Sequence, residues 1–556
     1  MLSARRKAAK RTTAKKTKDK KPARKRGAQS APSPDTGVDS EVDAASATTA
    51  ARARPGHISV RMYNNILGDC FLIRIPAGPE RDVKILIDCG ALQGMPSASD
   101  IMNEIAGNLA KATGSHLDVL VITHEHWDHL SGFCQAETIF RKFEIDELWL
   151  AWTENDKDAD AARIRARRQK ALQLLLTLDK HFGPAAAAPE EDDEEAATAP
   201  RGGGQRDEVR ELLAFTGQSP GVAASRMDTG AILTMLKGLA KKVRYFTPGA
   251  DPIPLPAGIP VEAYVLGPPK DTKLLLRSNP RKGEVYLTDE SAGLGVYLAA
   301  AVQLEKETIS LDADEARTIE LSMPFDNQHF RRLSEVEGER NQAYFSERED
   351  WRRIDRDWLG AAEQLALKLD SDTNNTSLVL AFAFGSKTDP RVLLFPGDAQ
   401  VGNWESWQQY VWPSGTKRED PAAIDIQKLL AATVLYKVGH HASHNATLRA
   451  NGLELMTHPD LVAMIPVREE FARKTKHWNM PFPSLLARLL ERTKGRVLRA
   501  DKSVDDLRAD RDRRQDKPGE LSRDDWENFF SRLGFGPKSA HSGVAPLYVE
   551  YSVPLT

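Results

Sequence analysis

The chain has 556 residues, 41% hydrophobic and 28% charged, with a formal net charge of −2, a globular balance that allows a large buried core. Its three cysteines, Cys70, Cys89 and Cys134, are odd in number and none is spaced as CxxC, which argues against a disulfide framework or a thiolate zinc site and points to a reducing cytoplasm. No apolar run approaches the roughly 18–20 residues that cross a bilayer, and the N-terminus lacks the apolar core of a secretory signal.

The charge is unevenly spread. Residues 1–26 hold thirteen Lys/Arg against one Asp, so they carry +12 of a total of −2 and leave −14 on the rest. A basic tail on an acidic body suggests a polyanionic partner, nucleic acid or a membrane surface; a solubilising leader without a partner is the plainer alternative. Residues 1–55 are rich in Ser, Ala, Thr, Pro and charge, and are expected to be a disordered tail.

From His57 the character changes. HISVRMYN, CFLIRI and VKILIDCG read as adjacent strands, and DIMNEIAGNLAKATG as a helix closed by glycine. LDVLVIT is a strand apolar on both faces that stops at HEHWDH. SGFCQAETIFRKF is a predicted helix and IDELWLAW a strand. Residues 154–240 read as helical around an Ala/Pro/acidic loop, PAAAAPEEDDEEAATAPRGGG, before the strands VRYFTPG and GIPVEAYVLGPP. Residues 270–370 are highly charged, with a helix near DWLGAAEQLALKL, and read as an insertion. Strands return at TSLVLAFAFG, RVLLFPGDA, TVLYKVGHH, DLVAMIPV, RVLRA and LYVEYSV. The expectation is one domain over 56–556, of α/β class, with insertions at about 154–240 and 270–370.

His124, His126, Asp128 and His129 follow a buried strand directly. Three imidazoles and a carboxylate so close together suit borderline divalent ions, and the HxHxDH spacing can serve two of them. Asp398 follows VLLFPG, where a carboxylate has no apolar role and could bridge two cations. His440 and His441 end TVLYKVG, with Ser443, His444 and Asn445 beyond. Asp88 closes VKILID and suits a hydrogen bond that orients the histidine loop. These residues meet only if the strands lie in packed sheets with aligned ends. The tryptophans Trp149, Trp152, Trp404, Trp407 and Trp412 are read as packing.

ILIDCG, THEHWDHLSG, LLFPGD and KVGHH, in that order, resemble the successive motifs of the metallo-β-lactamase superfamily. The likeness is closest to the soluble hydrolase domain of the bacterial competence DNA-uptake channel (ComEC) and its stand-alone relatives. NNTSLVL from Asn374 and KVGHHAS from Lys437 match that group, as does NMPFPSLLARLLERTKGRVLRAD. The similarity covers roughly residues 58–153, 243–269 and 374–503.

The resemblance implies an αββα sandwich and ligands His124, His126, Asp128, His129, Asp398 and one of His440 and His441. His440, directly ending the strand, is the expected ligand, with His441 as proton donor to the leaving group. Asp88, Asn374 and Ser443 are expected around the ligands. Many family members supply another histidine between the HxHxDH loop and the GD turn; the candidates here are His181 and His329, or Asn374/Asn375 in that region. The channel portion of the competence protein is absent. Two divalent ions, zinc with manganese as the alternative, would lower the pKa of a water from about 15.7 towards 7. Asp128 or Asp398 would orient it, and His441, Ser443 or Lys437 would assist the leaving group. A phosphodiester, including nucleic acid, is the first substrate class; a lactone, thioester or amide is the second. The third reading is a non-catalytic partner-binding module.

Overall fold

The computed structural model describes residues 53–181, 210, 212–218, 227–277, 355–386, 389–541 and 545–555. The basic tail up to residue 52, the Ala/Pro/acidic stretch, His329 and residues 278–354 of the second expected insertion lie outside them. The described residues form one compact unit of mixed α/β structure.

Strands rich in β-branched and aliphatic residues, alternating between two buried faces, build two large sheets. The first contains β1 (His57–Tyr63), β2 (Cys70–Pro76), β3 (Asp82–Cys89), β4 (His116–Val121), β5 (Glu144–Ala151), β6 (Ala240–Phe246), β16 (Leu533–Phe535) and β17 (Tyr548–Pro554), in the order β16-β17-β1-β2-β3-β4-β5-β6. The second contains β7 (Ile253–Pro254), β8 (Glu262–Gly267), β9 (Val379–Gly385), β10 (Pro390–Phe395), β13 (Thr433–Lys437), β14 (Val462–Ile465) and β15 (Val497–Arg499), in the order β15-β14-β13-β10-β9-β8-β7. A minor pair, β11 (Val411–Trp412) with β12 (Ile424–Asp425), stands apart.

Period-2 alternation decides what each face meets. Ile58, Val60 and Met62 of β1, with Phe71 and Ile73 of β2 and Ile85 and Ile87 of β3, share one apolar cluster with Leu380 and Phe382 of β9, Leu393 and Phe395 of β10 and Met464 of β14. The opposite faces pack on helices. Leu72, Leu86 and Leu120 join residues of α1 (Ala98–Thr113), α2 (Trp127–Gln135) and α4 (Thr229–Leu239), while Leu394 and Tyr436 join Trp404, Trp407 and α6 (Pro483–Arg492). All five tryptophans singled out in the sequence are buried.

Four helices differ from expectation. The helix after HEHWDH begins at Trp127 and ends at Gln135, so Asp128 and His129 occupy its first turn rather than a loop, and the acidic Asp128 sits where the helix dipole favours it. Helix α5 (Asp355–Asn374), inside the expected second insertion, packs on α3 (Ala159–His181), and Leu365, Ala366 and Leu369 cluster with Leu175 and Leu213. Helices over Val504–Arg514 and Ser522-capped Arg523–Ser531 were not expected; both carry a capping box, Ser503 with Asp506 and Ser522 with Asp525. Among the described residues no helix is long and apolar enough to cross a membrane.

Strand direction brings the motif residues to one edge. β3 and β4 run parallel with Ile87 opposite Val121, so Asp88 lies beside the segment leading to His124. β10 and β13 are parallel with Leu394 opposite Tyr436, so Asp398 and His440 fall equally far past the paired residues. β9 is antiparallel to β10, which returns the end of α5 to the same edge. Leu378 N–H donates to the Thr123 carbonyl at 2.8 Å and joins the two sheets there.

Candidate metal centre

The close approach of three chain segments requires glycine at the first turn of α2. A Cβ on Gly90 would lie 2.4 Å from the Asp128 carbonyl carbon, and one on Gly68 would lie 2.6 Å from the Asp128 oxygen. Asp69, between Gly68 and β2, donates its N–H to that same oxygen at 3.0 Å. At the second sheet, His440, His441 and Ala442 are consecutive non-glycine residues with positive φ of 41°, 51° and 62°. Such backbone costs on the order of 1–3 kcal/mol per residue and persists where the surroundings over-determine it.

Five imidazoles meet there, and four of them have one nitrogen held by an oxygen. His129 Nδ1 lies 2.7 Å from Asp88 Oδ2, which leaves Nε2 at 3.1 Å from Asp398 Oδ2. His441 Nδ1 lies 2.6 Å from the Pro466 carbonyl, so it carries the proton, and Nε2 lies 3.0 Å from Asp128 Oδ2. His124 Nδ1 is 3.1 Å from Thr123 Oγ1, and His440 Nδ1 is 2.9 Å from Ser443 Oγ. His126 Nε2 is 3.9 Å from Asp370 Oδ1. Asp88 also accepts from the Thr123 N–H at 2.8 Å and its hydroxyl at 2.6 Å, fixing the start of the histidine segment.

The charge arrangement is dominated by burial. His124 is held well below the usual imidazole value by burial and then by His129 and His126. Burial likewise pushes His126 down to about 3 and His440 down to about 4. Burial opposes the charge on His129 too, but Asp398, Asp69, Asp88 and Asp128 together raise it well above its usual value. Burial alone would raise Asp398, yet the Lys437 ammonium and His129 hold it well below the usual carboxylate range. Lys437 Nζ lies 3.0 Å from Asp398 Oδ1 and 2.5 Å from Asp69 Oδ2. Asp69 rises to about 6 through burial, which outweighs the opposing charge of Lys437. Asp370 rises well above its usual value through burial and then the charges of Asp128 and Asp398.

The donor set fits divalent cations. His124 Nε2, His126 Nδ1, Asp128 Oδ1, Asp370 Oδ1 and His440 Nε2 are buried and have no hydrogen-bond partner among the described residues. Buried polar atoms are normally paired, so several orphans on neighbouring imidazoles and carboxylates are what an ion-binding pocket leaves behind. His124, His129 and Asp398 each offer a ligand atom within 4.8 Å of the others, and so do Asp128, Asp398 and His441. Asp398 belongs to both groups, as a bridging carboxylate would.

Of the residues singled out in the sequence, Asp88, His124, His126, Asp128, His129, Asn374, Asp398, His440, His441 and Ser443 reach this edge, while His329 and the side chain of His181 lie outside the described residues. His441, the expected proton donor, shares a group with Asp128 and Asp398; His440, the expected ligand, does not. Both imidazoles follow the positive-φ turn, with His441 Nε2 against Asp128 Oδ2 and His440 Nε2 buried without a hydrogen-bond partner among the described residues. Ser443 contacts His440, and Asn374 Nδ2 donates to Asp370 Oδ2 at 3.0 Å. Asp69 and Asp370 went unread. Asp69 had a signal, a lone carboxylate between Gly68 and an apolar strand; Asp370 had only its i,i+4 spacing to Asn374, which Asp372 and its neighbours obscured.

Aromatic residues close the outer side. Phe215 stacks on Trp478 with centroids 5.1 Å apart and planes 13° apart, and its ring lies 5.5 Å from His126 and 6.2 Å from His440. Inside, Glu125 is bound by Arg168 of α3 at 3.0 Å, and Arg168 also reaches Thr376 Oγ1 at 3.2 Å. No family model matches the chain, and neither a curated protein nor a solved structure matches it.

Proposed function

We propose that the chain is a metal-dependent hydrolase of the metallo-β-lactamase superfamily, of the competence-protein-like kind, and that it cleaves a phosphodiester. The layering supports that fold: two sheets share one apolar cluster and carry helices on their outer faces. The observation that carries the reading is the set of buried, unpartnered ligand atoms contributed by both sheets at one edge. A partner-binding scaffold has no use for it.

His124, His129 and Asp398 in one group, and Asp128, Asp398 and His441 in the other, would hold two cations, zinc or manganese, with His126 beside His124. Such cations supply a water of lowered pKa and neutralise charge developing on the phosphoryl oxygens. The chain's own residues set the terms. Lys437 Nζ and the His440 N–H occupy Asp398 Oδ1, so Oδ2 remains for ligation. Asp88 and the Pro466 carbonyl fix the tautomers of His129 and His441 and turn each Nε2 lone pair inward.

His440 handles the proton. Ser443 Oγ accepts from Nδ1–H while donating to Asn445 Oδ1 at 3.0 Å; rotated, the hydroxyl donates to Nδ1 instead. Nε2 is therefore bare in one arrangement and protonated in the other, which suits taking a proton from water and giving it to the leaving oxygen. Phe215 and Trp478 exclude bulk water and strengthen each of these interactions.

Purified protein is expected to hold two divalent ions and to hydrolyse a bis-aryl phosphodiester faster than a lactone, thioester or cephalosporin, with Asp128→Ala abolishing turnover. Full activity in the Asp128→Ala protein sinks the reading, and preference for a carbonyl substrate moves it to the acyl class. The basic leader is proposed to gather polyanions; removing residues 1–55 should flatten the salt dependence of polyanion binding.

A further inference from the structure

Helix α5 ends against the metal centre. Its final turn puts Asp370 and Asn374 on one face, and Asn374 Nδ2 donates to Asp370 Oδ2 at 3.0 Å. That leaves Asp370 Oδ1 buried, without a hydrogen-bond partner among the described residues, and 3.9 Å from His126 Nε2. Asp370 as a whole is 9% exposed. Lys437 Nζ is taken up between Asp398 and Asp69. Asp128 is paired with His441. A further buried carboxylate at such a place is costly unless a positive charge faces it.

The turn is also held rigidly. Asn375 Oδ1 accepts from the N–H groups of Gln400 at 3.1 Å and Asn403 at 3.3 Å, directly after Asp398, and Asn375 Nδ2 donates to the Arg277 carbonyl at 2.8 Å. Arg168 bonds Thr376 on one side and Glu125, between the two histidines, on the other. The carboxylate and the His124/His126 segment are thus fixed relative to each other through the same guanidinium.

We propose that Asp370 is a ligand from α5, acting together with His126. This rests on the two-cation reading above. A separation of 3.9 Å between Asp370 Oδ1 and His126 Nε2 lets both reach one ion with bonds of about 2.0–2.2 Å, with Nε2 rather than Nδ1 as the ligating nitrogen of His126. The helix that the sequence assigned to an insertion then supplies what the motif-bearing strands lack.

The test is a cobalt(II) titration, followed by visible absorption and by metal content, of the metal-free parent, Asp370→Asn, Asp370→Glu and Asp128→Asn. The parent should take up two equivalents. Asp370→Asn should bind one of them at least about 100-fold more weakly, beyond the roughly 10–100-fold of a residue that only orients a ligand, and should change the ligand-field spectrum. Asp370→Glu should retain the charge and recover part of the affinity. Melting of the metal-free proteins reports folding independently, and Asp370→Asn should melt no lower than the parent because a crowded carboxylate is gone. Two cobalt equivalents bound by Asp370→Asn with parental affinity and spectrum overturn the ligand role and leave the metal centre standing. A parent that binds no cobalt, like Asp128→Asn, overturns the metal centre itself.

Discussion

Nδ1 of His129 lies 2.7 Å from Oδ2 of Asp88, both side chains fully buried, and the other ring nitrogen faces Asp398 at 3.1 Å. A carboxylate behind an imidazole fixes its tautomer and raises its basicity as a ligand. Asp88 is itself pinned by two hydrogen bonds from Thr123, so the orientation of His129 is set by β3 rather than by its own helix. Asp88→Asn should therefore weaken metal affinity by about 10–100-fold. Competition with a chromophoric chelator measures this, and parental affinity in the variant would refute it.

His440 and His441 should separate cleanly. His441→Ala is expected to lose one bound ion together with turnover, because Nε2 lies in the group with Asp128 and Asp398. His440→Ala should keep both ions and lower kcat by about 10²–10⁴, the usual worth of a positioned acid or base. Metal content by mass spectrometry, read beside turnover, decides between this assignment and its reverse.

Lys437 is buried between two carboxylates. Replacing it with methionine takes the ammonium from both, and removal of one partner from a buried pair costs about 3–5 kcal/mol. Urea unfolding of metal-free Lys437→Met should show that loss. Adding Asp69→Asn should recover part of it, since residues in one network do not act additively. A loss under about 1 kcal/mol, the range of an exposed pair, would show the network to be dispensable.

Far from the metal edge, Glu550 of β17 meets Arg61 at 2.7 Å and Arg74 at 2.8 Å. Burial would raise this carboxyl, but Arg61 and Arg74 hold it below its usual 4.5. A carboxylate depressed in the fold stabilises fully above 4.5 and loses that contribution as pH falls through its lower folded value. Glu550→Gln should then be less stable than the parent at pH 7, by roughly 3 kcal/mol for a buried pair, with the gap closing below pH 4.5. A gap that stays constant with pH would remove the ionic contribution.

The strands, the helix after VKILIDCG and the histidine-rich segment were legible in the sequence because each is written locally. Period-2 apolar alternation marks a strand wherever it packs, and HEHWDH, FPGD and KVGHH stand where apolar runs stop. Other features were settled by segments distant in the chain. How the imidazoles of His440 and His441 are oriented depends on a positive-φ turn and on the Pro466 carbonyl. Asp370 carries no local mark that separates it from Asp372. Only the return of α5 along β9 to the strand ends, with Asn374 and Arg168 fixing its last turn, gives its carboxylate a place beside His126. A sequence pattern records which face of an element is apolar, whereas a ligand set depends on which ends meet, and that is decided by the direction and order of strands in two sheets.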